Sequence, residues 1–188
     1  PAMAVSTLMN TSPIMVYAGQ ELGEQAHEAE GFSGFDGRTT IFDYWKVETL
    51  CRLQSSDYRL QIGENVIFDL YRRLLSIANR EVVAEGKFYD LMWLNQRNPQ
   101  FDSFRQYAFV RYTDKEALFV VANFAGEERD VRVNLTRHLF EAVGCDAFGK
   151  VVATDLMTDV ATELNFSAEE PVQLTLKPYQ VCAYLIKR

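Results

Sequence analysis

Residues 12–24 read SPIMVYAGQELGE, and residues 31–45 read GFSGFDGRTTIFDYW. Residues 14–18 are short, nearly all apolar and bounded by Pro13 and Gly19. An apolar run without alternation suits a strand buried on both faces, as in parallel sheets. The preceding AMAVSTLMN carries small and apolar residues that suit a helix ending before Pro13. Helix followed by buried strand is the rhythm of an α/β fold. Residues 20–36 then hold Glu21, Glu24, Glu28, Glu30 and Asp36, with glycine at 23, 31 and 34. That stretch predicts a long irregular loop, and such loops are uncommon and often functional.

Outward from this segment the pattern changes twice. Residues 56–79 are helical in period, with Leu60, Val66, Ile67, Leu70, Tyr71, Leu74, Leu75 and Ala78 on one apolar face. Ser55, Ser56 or Asp57 can cap that helix, and Arg72, Arg73 and Arg80 near its end suit its dipole. After Gly86 come short β-rich runs: KFYDLMWL, YAFVRYT, ALFVVANF, DVRVNL, KVVATDLM, TELNFS, VQLTLKP and QVCAYLIKR. Turn residues separate most of them, and RHLFEAVG inserts one helical turn. Many short strands with frequent turns predict an antiparallel sandwich or barrel.

The chain therefore divides into residues 1–85, α/β in character, and residues 86–188, an all-β antiparallel sandwich domain. One buried strand with two helices cannot complete a parallel sheet, because its edges and faces stay uncovered. Residues 1–85 accordingly read as part of something larger. Residues 14–18, as an unpaired strand, are expected to self-associate, to be covered by nearby helices or to disorder.

SPIMVYAGQELGE resembles the last-strand motif of the alpha-amylase family of glycoside hydrolases, roughly Gly-x-Pro-x-Ile-x-Tyr-x-Gly-x-Glu. GFSGFDGRTTIFDYW is similar to the loop after that strand in bacterial members. LYRRLLSIAN and EGKFYDL look like the eighth barrel helix and its exit, and the later strands resemble the family's C-terminal domain. The ordered set covers essentially the whole chain. The resemblance implies an α+β fragment: the last β/α unit of a TIM barrel, (β/α)8 in full, then the sandwich. It implies a protein acting on alpha-glucans such as starch and maltooligosaccharides. The family's catalytic carboxylates belong to earlier strands, so no catalytic residue is assigned here and the chain alone is expected to be inactive.

Gln20 and Glu21 follow the presumed last strand, and barrel active sites lie at that end. They are candidate substrate-binding residues, although a carboxylate at a strand end more often anchors loops. Arg38 is similar to the arginine of a Gly-Arg-Thr-Pro-Met-x-Trp type motif near the sugar site of some relatives. Thr40 stands where that motif has proline, and a salt bridge from Arg38 to Asp36 or Asp43 competes with substrate contact. Phe42, Tyr44 and Trp45 are expected to pack the loop rather than stack on sugar, and Trp93 to pack between the two parts.

Composition bounds the rest. The chain has 188 residues, 48% of them hydrophobic, and a net charge of −7. That balance disfavours nucleic acid and an anionic membrane as partners. The expected partners are an alpha-glucan or oligosaccharide and the upstream barrel segment. The acids of residues 24–36 match no calcium loop, and His27 and His138 have no partner histidine at ligand spacing, so neither metal nor cofactor is expected. The three cysteines, Cys51, Cys145 and Cys182, form no close pair and read as buried free thiols. Such thiols fit a bacterial cytoplasm, and a periplasm equally. The competing classes are a structural subunit that completes another chain's barrel and a free-standing carbohydrate-binding module, and the module needs exposed aromatics. Tyr107, Phe109, Tyr112, Phe119 and Phe124 are expected to alternate as core residues instead.

Overall fold

The side chains of Ala117, Leu118, Phe119, Val120, Val121 and Ala122 are all fully buried, so this run is covered on both faces. It belongs to a computed structural model that describes residues 1–17, 19–23, 66–144 and 149–187. The helices are α1 (Ala2–Leu8), α2 (Val66–Ala78), α3 (Glu81–Ala84), α4 (Met92–Asn95) and α5 (Arg137–Val143). The strands are β1 (Lys87–Asp90), β2 (Gln106–Tyr112), β3 (Glu116–Asn123), β4 (Arg129–Val133), β5 (Gly149–Asp155), β6 (Val160–Phe166), β7 (Val172–Leu176) and β8 (Val181–Lys187). The described residues are thus mostly antiparallel β-sheet with short helices. Two compact units divide the chain: Pro13–Arg73, and Pro1–Ser12 together with Leu74–Arg188.

In the larger unit, six strands run in the order β1-β2-β3-β8-β5-β6, and β4 pairs with β7 in a second, two-stranded sheet. Strand parity sorts the side chains. Phe119 and Val121 of β3 join Val110 of β2, Tyr184 and Ile186 of β8, Val131 and Val133 of β4, and Leu176 of β7 in one core. Helix α5 closes that core with Leu139, Phe140 and Val143. It is longer than one turn because Thr136 caps it, accepting from the Leu139 N–H at 3.1 Å. Phe166 sits at the centre, edge-on to Phe119 at 5.4 Å and to Phe140 at 5.8 Å.

The opposite parity builds a second core. Leu118, Val120 and Ala122 with Phe109, Ala183 and Leu185 meet Ala4 and Leu8 of α1, Leu74 and Ile77 of α2, and Val82 and Val83 of α3. The predicted helix before Pro13 is α1. The start of α2 behaves differently from its periodicity: Val66 is 82% exposed, and burial begins at Tyr71.

A buried arginine ties this layer to the sheet. Arg111 on β2 donates from Nη2 to Val83 O at 2.6 Å and Gly86 O at 2.5 Å, and from Nη1 to Met9 O at 3.3 Å. It thereby satisfies carbonyls at the ends of α1 and α3 that no helical N–H can reach. Burial lowers its pKa from the usual guanidinium value. Beside it the chain turns sharply at Gly86, where a Cβ would lie 2.1 Å from Val82 O.

Three sequence expectations are corrected. Residues 14–17 take no strand, since a strand exists only through a partner and they pair with none among the described residues. KFYDLMWL is strand only to Asp90, whose Oδ1 accepts from the Met92 N–H at 2.9 Å and turns the chain into α4. Trp93 packs outward, 53% exposed, because its neighbour Asn95 fills the inward side of α4, bonding Leu91 O and both backbone groups of Asn134.

Phe119→Ala is expected to cost about 3–5 kcal/mol, read as a fall in urea midpoint, because a shared central ring leaves a cavity. Arg111→Met is expected to cost about 1–3 kcal/mol for each buried carbonyl left without a donor. A midpoint unchanged by Arg111→Met would mean that water already satisfies those carbonyls.

Candidate functional site

The smaller unit carries the residues that the sequence marks as candidates. Gln20–Leu22 form a single 3-10 turn set between Gly19 at φ 86° and Gly23 at φ 73°. Both glycines lie in the left-handed region that other residues enter at a cost. The Gln20 N–H donates to Tyr17 O at 2.9 Å, and Gln20 Oε1 accepts from the Tyr17 N–H at 3.1 Å. Gln20 is thus part of the scaffold that fixes the turn. Leu22 is buried, and Gly23 admits Ile67, whose Cδ1 would stand 2.7 Å from a Cβ there.

Glu21 sits at the apex. Its Oε2 is buried and has no hydrogen-bond partner among the described residues. A shielded carboxylate oxygen of this kind accepts readily from a hydroxyl, an amide or a guanidinium. The turn therefore leaves Glu21 with a buried acceptor that no described group satisfies. Arg38 lies outside the described residues, as do His27, Phe42, Tyr44, Trp45, Cys51, Cys145 and the acids from Glu24 to Asp36.

In the larger unit the polar side chains serve structure. Asp155 ends β5 and accepts from the Ala183 N–H at 2.9 Å, the Met157 N–H at 3.1 Å and Thr158 Oγ1 at 2.8 Å. His138 is exposed, with Nδ1 2.9 Å from Tyr89 Oη, which also meets Thr136 Oγ1 at 3.1 Å. Cys182 is a buried free thiol. Burial, with Asp155 close by, pushes its pKa up to about 11, so it stays protonated and inert at neutral pH.

The aromatics divide unevenly. Phe109 and Phe119 are core residues, and Tyr107 and Tyr112 are half-buried. Phe124 is not core but exposed. Phe104 and Tyr179, which the strand pattern passes over, are exposed as well. Both sit in turns, behind Asp102-Ser103 and Lys177-Pro178, where an aromatic can join neither face of a strand. That misplacement is the signal by which a sequence reading could have found them.

No protein-family model matches the chain, and no curated protein matches it. Solved structures do. A noncanonic maltogenic alpha-amylase from Thermotoga neapolitana superposes with a TM-score of 0.50 at 16% identity, over 66% of this chain and 26% of that one. In fold, the chain resembles the alpha-amylase family. An alpha-amylase from Geobacillus thermoleovorans, solved with acarbose, gives 0.46 at 13% identity, over 65% of this chain and 23% of that one. A trehalulose synthase from Pseudomonas mesoacidophila gives 0.44 at 20% identity, over 80% and 21%. The chain thus spans about a quarter of the length of these alpha-amylase-family structures. The likeness is one of fold, and it agrees with the family named by the sequence motifs.

Within this alpha-amylase-like sheet, Cys182 sets a pH limit. Below pH 9.0, the thiol's ordinary value, it is protonated whether the chain is folded or not. As the pH rises from there towards about 11, the unfolded chain loses the proton first and folding loses that contribution. Tyr184, raised by burial and by Cys182, acts in the same direction from 10.0 upwards. The melting temperature is expected to fall between pH 9 and 11, and more gently in Cys182→Ala. Parallel profiles for the two proteins would show that the thiol titrates as it does in water.

Proposed function

We propose that the chain is the C-terminal portion of an alpha-amylase-type glycoside hydrolase acting on alpha-glucans such as starch and maltooligosaccharides. The observation that carries this reading is one of order. The SPIMVYAGQELGE and GFSGFDGRTTIFDYW segments precede a β unit whose fold is that of a maltogenic alpha-amylase's matching quarter. On this reading residues 1–85 come from the end of a (β/α)8 barrel, and residues 86–188 are its C-terminal β domain.

Hydrolysis in such a protein uses a pair of carboxyl groups. One protonates the leaving oxygen while the other forms a glycosyl-enzyme intermediate, which water then cleaves. Neither group is assigned to this chain. They reside on the upstream barrel segment, the chain's proposed macromolecular partner. The part left to this chain is binding. On this reading Glu21 and Arg38 contact the sugar at the rim, and Gln20 holds the turn that carries Glu21. A non-catalytic carbohydrate-binding module is the second reading, favoured by the exposure of Phe104, Phe124 and Tyr179.

Reducing-sugar release from soluble starch tests the division. The chain alone is expected to release none, and the same chain continuous with its upstream segment is expected to be active. In that longer protein Arg38→Ala is expected to lower kcat/KM by roughly 10- to 100-fold, the worth of a lost charged hydrogen bond. Activity in the short chain would overturn the assignment of the carboxylates elsewhere. An inactive longer protein would overturn the hydrolase reading.

A further inference from the structure

We draw no further inference here: the strongest candidate, the cavity that Glu81, Glu85 and Asp114 line between α3 and the β2–β3 turn, carries nothing, because it is an acidic cluster whose Glu81 already holds Lys115 at 3.0 Å and no buried unpartnered group among the described residues lies along it.

Discussion

β3 and β8 are apolar on both faces, and the larger unit is organised by the need to cover both. Phe119 and Val121 face one way, Leu118 and Val120 the other, and β8 repeats the division with Tyr184 against Ala183 and Leu185. A six-stranded antiparallel sheet with only one cover would present half of these groups to water. β4, β7 and α5 supply one cover, and α1, the end of α2 and α3 supply the other. The second cover is assembled from segments far apart in the chain, which is why residues 1–12 and 74–188 form one compact unit. That grouping does not follow the composition change near residue 85, because burial, not local sequence character, decides what packs together.

Two layers on one sheet create a problem of helix ends, and polar side chains solve it. The carbonyls at the ends of α1 and α3 point into a buried region. Arg111 reaches both from the strand beneath and is itself removed from water. Asp155, Asn95 and Asn123 do comparable work at the sheet's edges and turns, each binding backbone groups from segments distant in sequence. Such residues hold stability by satisfying buried backbone groups, since an apolar replacement would leave those groups unpartnered.

The β runs were legible because alternation and double burial leave clear patterns, and because turn residues fall between them. The misreadings share a cause. KFYDLMWL looks like one strand by hydrophobicity, yet a single Asp90 side chain caps the next turn and ends it. Residues 14–17 look like a strand by the same measure, but strand formation is a property of two segments and only one is written there. Trp93 and Phe124 suit packing by their size, since large aromatics usually are buried, and sequence does not say which rings a turn will hold out. Arg111 carries no local signal at all: its partners lie 25 to 102 residues away.

Of the candidate rim, Gln20 and Glu21 illustrate how adjacent residues with the same motif pedigree acquire different tasks. Gln20 is consumed by its own turn, since its side chain binds the backbone three residues earlier. Glu21, on the other side of the 3-10 turn, keeps a buried oxygen without a partner among the described residues. A motif records both positions alike, and only hydrogen-bond accounting separates the residue that builds the turn from the one it presents.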